Sequence, residues 1–399
     1  MPVLSNRGIT MPPSPIRKLV PFADQAKEKG RHVYHLNIGQ PDIETPSTYW
    51  QAIRHHGRKV LEYGPSAGFT SYRKKLVEYY ARFNIHVKMD DIMVTTGGSE
   101  AIIFTLMAIT DPGDEIIVPE PFYTNYNGFA IEAAANIVTI TSKIEDDFKL
   151  PPIESIRGKI TSKTKAILIC NPNNPTGYVY SEKELQALRE IVMEHNLYLL
   201  ADEVYREFCY DGLVHTSVMH LKGIDDRAIL LDSVSKRYSA CGARIGCIVS
   251  KNNDIMKAVL KFGMARLCPP TLGQLGAEAG IETAPAYFKK VLKEYTRRRD
   301  VMVEALCRMP GVVAPKPKGA FYLVTRLPVD DADNFARWLL TDFHVDNETV
   351  LVAPANGFYS TPGLGKDEVR IAYVLNIEDI KKAMHILEEA LKVYPGRFK

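Results

Sequence analysis

The sequence predicts an α/β protein: a large domain on a mostly parallel sheet of seven strands sandwiched by helices, with a smaller α+β domain formed by both chain ends. Three observations carry this. From Asp91 onward seven short apolar runs rich in β-branched residues recur: "IMVTTGG", "EIIVPEP", "NIVTIT", "AILICNP", "LYLLADEVY", "AILLDSVS" and "RIGCIVS". Near-continuous apolar strands suit a sheet covered on both faces, which is the parallel kind, and several are separated by stretches of helical spacing. Past about Ala284 the texture changes to a long charged helix, two strand-like runs and a last amphipathic helix. At 399 residues the chain is too long for one ordinary core and long enough for two that share an interface. The expected division is residues 1–45 for an N-terminal arm and part of the small domain, 46–284 for the large domain and 285–399 for the small C-terminal domain.

The elements follow in order. The prolines of "ITMPPSPIRKL" forbid a helix through them, so this piece reads as an extended arm that leads into a helix and lies over another part of the molecule. "VYHLNIGQPDIETP" is a short strand followed by turn residues, and "FTSYRKKLVEYYARFN" has helical apolar spacing. Within the strand-rich region, "SEKELQALREIVMEHN" opens with Ser181 and Glu184 in capping-box spacing. The long charged helix is "YFKKVLKEYTRRRDVMVEALCRM", the strands are "GAFYLV" and "EVRIAYV", and the last helix carries Ile380, Ala383, Leu387 and Leu391 on one face.

Composition narrows the partners. Hydrophobic residues make up 46% and charged residues 24%, with both signs mixed, as in a globular protein. Fifty Lys and Arg against 47 Asp and Glu leave +3, and no block of like charge exceeds Arg297–Arg299, so a small-molecule partner is favoured over nucleic acid. The opening residues lack a signal-peptide run, and no later run reaches the roughly 20 apolar residues that cross a bilayer, so a cytoplasmic protein is expected. Six scattered cysteines form no CxxC or Cys/His cluster; they predict neither a disulfide frame nor a metal site and read as small core residues.

In open parallel sheets ligands gather beyond the carboxyl ends of the strands. Four ends stand out here. "VTTGGSEAIIFTLMAI" runs strand, Gly97-Gly98-Ser99, helix: free amides at a helix N-terminus favour an anion, although a plain glycine turn would look the same. "ILICNPNNPTG" sets Asn174 on a bent loop that a turn alone could also explain. "LYLLADEVY" ends in Asp202, with Tyr205 three residues on; a carboxylate in so apolar a setting needs a cation or donor, unless it is only a helix cap. "SVSKRYSACGARIG" sets Lys236 after a strand, with Arg244 eight positions later. Most lysines are solvated surface charges, but near Arg244 this amine would be harder to protonate and a better nucleophile toward an aldehyde. Together the ends describe one ligand: a phosphate held by Gly98, Ser99, Ser233 and Arg244, a ring nitrogen facing Asp202, a phenolate oxygen met by Asn174 and Tyr205, and an aldehyde condensed with Lys236. That ligand is pyridoxal 5′-phosphate.

The ordered set "LNIGQPDIETP", "NPNNPTG", "ADEVY", "SVSKRYSACGARIG" and "EVRIAYV" resembles the fold-type I, class I/II aminotransferases over nearly the whole length, most of all the aspartate aminotransferase branch. The resemblance implies the PLP-transferase fold, with Lys236 as the Schiff-base lysine, Asp202 on the ring nitrogen, and Tyr205 and Asn174 on the ring oxygen. Ser233, Arg244 and the Gly98 and Ser99 amides would bind phosphate, and Tyr123 in "PEPFYTNY" would stack on the ring. Tyr63 in "YGPSAG" would reach the phosphate of a neighbouring subunit, which implies a homodimer with shared sites. Arg370 and the backbone at Gly39, together with Asn174, would hold the substrate α-carboxylate.

The implied reaction is a ping-pong transamination between an L-amino acid and a 2-oxo acid, with 2-oxoglutarate the usual acceptor. Aspartate is the expected donor, with alanine or an aromatic amino acid behind it and a C–S β-lyase as a further alternative. A dicarboxylate needs a second cation. In the family this is commonly an arginine supplied by the neighbouring subunit, and Arg266 in "MARLCPP" is the candidate, although its spacing to the prolines departs from the familiar pattern; another branch uses a lysine where this chain has Ser99. A DNA-binding regulator on this fold is disfavoured, because about 30 residues precede the first strand, too few for a helix-turn-helix unit.

Overall fold

The computed structural model describes residues 2–398. Its strands are β1 (His32–His35), β2 (Ile92–Thr95), β3 (Glu115–Glu120), β4 (Asn136–Thr141), β5 (Thr164–Cys170), β6 (Tyr198–Asp202), β7 (Ala228–Ser233), β8 (Gly246–Val249), β9 (Tyr322–Arg326), β10 (Glu348–Leu351), β11 (Ala353–Pro354) and β12 (Glu368–Ala372). The seven apolar runs form one sheet in the order β2-β8-β7-β6-β5-β3-β4. Only β8 runs against its neighbours; the other pairings are parallel. Thr95, Glu120, Cys170, Asp202 and Ser233 therefore end their strands at one edge. Because β8 is reversed, its first residue, Gly246, sits at that same edge opposite Ser233 and Thr95.

Alternate residues along these strands enter two different cores, as the period of two requires. Ile117, Ile167, Leu199 and Leu230 pack with Tyr80, Leu188 and Ile191 from the helices Thr70–Ala81 and Glu182–Glu194. Ile116, Leu168, Leu200 and Ile229 pack on the other face with Ile102, Leu106 and Val259 from Gly97–Ile109 and Asn253–Arg266. The sheet is buried on both sides, as its unbroken apolar strands predict. The capping box forms: the Ser181 amide donates to Glu184 Oε2 at 2.8 Å and the Glu184 amide to Ser181 Oγ at 3.3 Å.

Both chain ends build a further core. β1 pairs in parallel with β10, and β9, β12 and β11 form an antiparallel sheet. Ala23 and Leu36 pack there with Met302 and Leu306 of Pro285–Arg308, with Phe321, and with Ile380 and Leu387 of Ile377–Val393.

The structure adds two helices that the sequence reading did not assign and corrects one expectation, that the cysteines are all core residues. A short helix, Asn6–Thr10, precedes the prolines, capped by Ser5 Oγ, which accepts from the Gly8 amide at 3.1 Å. The glycine-rich "TLGQLGAEAG" is also helical, over Thr271–Gly280. A Cβ on Gly276 would lie 2.2 Å from the Tyr49 ring and one on Gly273 2.6 Å from the Ala243 carbonyl, so these glycines serve close packing, not a turn. Of the cysteines, Cys170, Cys209 and Cys247 are buried, whereas Cys241 and Cys268 are half-buried and Cys307 is exposed.

Beneath the carboxyl edge lies a buried charge cluster. Arg206 pairs with Glu203 at 3.0 Å and Asp232 at 3.2 Å, while Arg237 pairs with Asp232 and, at 2.7 Å, with Glu207. Burial opposes the Asp232 charge, but Arg237 and Arg206 outweigh it and hold its pKa low. Asp232 and Arg237 flank Ser233–Lys236, so the cluster anchors that turn from below. Arg206→Met would leave the buried Glu203 without an arginine and Asp232 with Arg237 alone; a loss of about 3–5 kcal/mol is expected, measured as a lowered urea unfolding midpoint. An unchanged midpoint would show that the cluster contributes nothing to stability.

Candidate active site

A cleft of about 400 Å³ opens at the carboxyl edge, walled by the strand ends on one side and by β9 and β12 on the other. Ser233 caps the helical turn Val234–Arg237: its Oγ accepts from the Ser235 amide at 3.1 Å and donates to the Ile245 carbonyl at 2.9 Å. That turn delivers Lys236 into the cleft, where its Nζ donates to the Gly39 carbonyl at 2.9 Å and lies 3.8 Å from Cys241 Sγ. The expected depression of this amine by Arg244 is not found. Burial, the largest influence, and the Arg370 guanidinium push the Lys236 pKa down, but Tyr322, Cys241 and Tyr123 together hold it above the ordinary lysine value.

Beside the turn, the helix Gly97–Ile109 begins with Gly98 and Ser99 facing the cleft. Gly97 has φ +80°, and a Cβ there would lie 2.4 Å from Arg244 Nη2, so only glycine lets the guanidinium close on this terminus. A Cβ on Gly246 would likewise sit 2.7 Å from the Gly98 nitrogen. Helix amides, Ser99, Ser233, Ser235 and Arg244 thus converge as an anion cradle. Ser235 is a cleft residue that sequence reasoning did not assign; its signal is the alternate-residue spacing of the two serines in "SVSK".

Asp202 ends β6 inside the cleft and is buried. Its Oδ2 accepts from Tyr126 OH at 2.9 Å, and no Lys, Arg or His among the described residues pairs with it. Burial therefore dominates and pushes its pKa up to about 6, against the opposing pull of the Tyr126 hydrogen bond. Tyr126 was also unassigned in the sequence.

Arg370 shows the opposite imbalance. It is 2% exposed, donates to Asn174 Oδ1 at 3.1 Å and to the Asn37 carbonyl, and lies over the rings of Tyr322 and Phe358 at 4.6 and 4.9 Å. Its Nε has no partner, no carboxylate pairs with it among the described residues, and burial lowers its pKa. A guanidinium in that position fits an incoming anion. Tyr322, another unassigned residue, links the groups: its OH is 3.0 Å from Tyr205 OH and donates to the Gly39 carbonyl at 3.3 Å. Tyr123 lines the cleft, its hydroxyl accepting from Asn125 Nδ2 at 2.9 Å. From the arm, Ser14, Ile16 and Arg17 complete the mouth.

Two expected residues lie elsewhere. Tyr63 is 80% exposed and outside this chain's cleft. Arg266 is not a free cation: it pairs with Glu100 at 3.2 Å and donates to Thr96 Oγ1 at 3.3 Å and the Ser66 carbonyl at 3.0 Å. Its guanidinium braces the turn before Gly97 and does not line this chain's own cleft. Among the described residues no cluster of His, Cys, Asp and Glu could hold a metal ion, and no helix is long and apolar enough to cross a membrane.

The donor set fits pyridoxal phosphate: a cradle for a dianion, a buried carboxyl that lacks a cation, and an amine in the same cleft. The carboxyl gives a direct test. Because the folded pKa of Asp202, about 6, exceeds the ordinary 3.8, cofactor-free protein gains stability from this group at low pH and loses it as pH rises through 6. Relative to Asp202→Asn, the cofactor-free parent should lose about 2 kcal/mol between pH 4.5 and 7.5 in urea unfolding. A pH-independent difference would mean that the carboxylate has a hidden partner.

Comparison with known proteins gives the same reading. The sequence model of the family described as "Aminotransferase class I and II" matches residues 31–387. The aspartate aminotransferase of Bacillus subtilis (strain 168) is 30% identical over 96% of this chain and 97% of its own. Aromatic-amino-acid aminotransferase 2 of Thermococcus litoralis is 30% identical over 98% of each chain. The solved alanine aminotransferase from Pyrococcus furiosus superposes with a TM-score of 0.89 at 32% identity, covering 98% of this chain and 100% of that one. This chain belongs to the class I and II aminotransferases, enzymes of the fold-type I architecture that work with pyridoxal phosphate.

Proposed function

We propose that this aminotransferase moves the amino group of L-aspartate to 2-oxoglutarate, giving oxaloacetate and glutamate, with Lys236 as the covalent anchor and proton carrier. The observation that carries the reading is the partly buried Lys236 amine, set between a buried carboxyl without a cation and a buried guanidinium without an anion. When bound, pyridoxal phosphate supplies an aldehyde and a ring that accepts the electron pair left at the α-carbon.

The chain's own groups do the rest. The Gly98 and Ser99 amides, Ser233 and Arg244 would hold the phosphate, and Tyr123 would lie against the ring. Asp202, ionised when a cationic ring nitrogen faces it, would keep that nitrogen protonated, and Asn174 and Tyr205 would donate to the ring oxygen. Arg370, with the Gly39 backbone, fixes the α-carboxylate shared by every amino acid and 2-oxo acid, so both half-reactions use one seat. Lys236 Nζ, freed of its proton, takes the α-proton and returns it on the other side of the exchange. The arm at Ser14–Arg17 and the small domain close over the cleft and exclude water.

Aspartate is supported by relatives of that name at about 30% identity. A second reading, alanine or an aromatic amino acid as donor, is favoured by the engagement of Arg266 with Glu100 and by Ser99 in place of a lysine. A homodimer is supported by the exposed Val60, Leu61, Tyr63 and Met264, which a second copy would cover. Arg266 joins these stretches through Ser66. Tyr63 would then reach the neighbour's phosphate.

Lys236→Ala is expected to remove the visible absorbance of the bound cofactor and lower turnover at least about 10³-fold, measured by absorbance and stopped assay. Retained turnover would contradict the role. Arg370→Ala should raise KM roughly tenfold or more for every amino acid alike. A donor panel with 2-oxoglutarate should place aspartate first in kcat/KM. Alanine or phenylalanine first would establish the second reading, and pyruvate with ammonia in the absence of acceptor would indicate a lyase.

A further inference from the structure

The cleft is unbalanced in charge. Its lining contains one carboxylate, Asp202, and four cationic side chains, Arg17, Lys236, Arg244 and Arg370. A bound phosphate offsets Arg244, the α-carboxylate of a substrate offsets Arg370, and Lys236 is consumed by the cofactor. Arg17 is left over. Its guanidinium makes no hydrogen bond or ion pair with any described residue, whereas its neighbour Lys18 is tied to Asp333.

Arg17 is also held in place. Its amide donates to the Ser14 carbonyl at 3.1 Å in the turn that follows the prolines, and the next residue but one, Leu19, is buried. Asn37 connects this turn to the substrate seat: its Nδ2 donates to the Ile16 carbonyl at 3.1 Å, and its own carbonyl accepts from Arg370. One buried residue thus fixes both the arm that carries Arg17 and the guanidinium proposed for the α-carboxylate, and both arginines line the cleft. The alternative cations are spent or missing, since Arg266 is engaged with Glu100 and position 99 is serine.

We infer that Arg17 receives the distal carboxylate of a dicarboxylic substrate, both the amino donor and 2-oxoglutarate. This rests on the dicarboxylate reading above and identifies the residue that would impose it. The arm then acts as the specificity element: a dicarboxylate bridges Arg370 and Arg17, while a monocarboxylate uses Arg370 alone. Because Arg17 is exposed at the cleft mouth, the contact is screened by salt.

The test titrates the cofactor-loaded enzyme with maleate and with butyrate, followed by the change in visible absorbance, alongside steady-state kinetics, in the parent, Arg17→Gln and Arg17→Lys. Arg17→Gln is expected to weaken maleate about tenfold and raise KM for aspartate and 2-oxoglutarate similarly. Butyrate affinity and KM for alanine should stay within about twofold. Arg17→Lys should keep most of the maleate affinity, and parent affinity for maleate should fall as salt rises. Equal losses for maleate and butyrate would show that Arg17 only orders the arm, and no loss for either would show that it is idle; both overturn the inference and leave the dicarboxylate reading standing. A parent enzyme that binds maleate no better than butyrate would overturn both.

Discussion

Asp202 and Arg370 are buried charges that the chain itself leaves without counter-charges, and the cleft is organised around that debt. A structural ion pair would have been simple to build: close by the edge, Arg206, Glu203, Asp232 and Arg237 pair with one another. At the edge the same residue types are kept apart. An isolated charge out of water is costly, so each is stable only when a ligand supplies the missing partner. In the proposed reaction pyridoxal phosphate would offer a cationic ring nitrogen to one and the substrate a carboxylate to the other.

The fold makes this separation possible. Six parallel strands deliver their ends to one edge, and the single reversed strand, β8, returns Arg244 to that edge from the opposite direction. Gly97 and Gly246 let Arg244 approach the helix terminus closely enough to share one anion with it. Arg370 comes from β12, in a different sheet, so on the proposed reading the substrate anion would be held by one sheet and the cofactor by the other. Tyr322 spans them through Tyr205 and Gly39. Movement between the two sheets would therefore change the seat directly, which is why closure of the arm and small domain fits the chemistry.

Most of this was legible in the primary structure for one reason: apolar strands announce themselves, and polar residues just after them must face the open edge. Gly98, Ser99, Asn174, Asp202, Tyr205, Ser233, Lys236 and Arg244 all lie in the cleft on that logic, joined by Gly39, Tyr123 and Arg370. What escaped notice depends on distant partners. Tyr126 and Tyr322 look like core aromatics until Asp202 and Tyr205 are seen beside them. Arg266 looked available because Glu100 and Ser66, which occupy it, are far away in the chain. Arg17 sits in a proline-rich arm with no periodicity to show which way it faces, and the raised pKa of Lys236 follows from Tyr322 and Cys241, neighbours that no spacing rule connects.

The reading stands or falls with the amine at position 236, which shares its cleft with the Asp202 carboxyl, as the point of cofactor attachment. Borohydride reduction of the pyridoxal phosphate-loaded enzyme, followed by peptide mass spectrometry, reads that attachment directly. The account predicts one pyridoxyl group per chain, on Lys236. A group on any other lysine, or none at saturating cofactor, would contradict it.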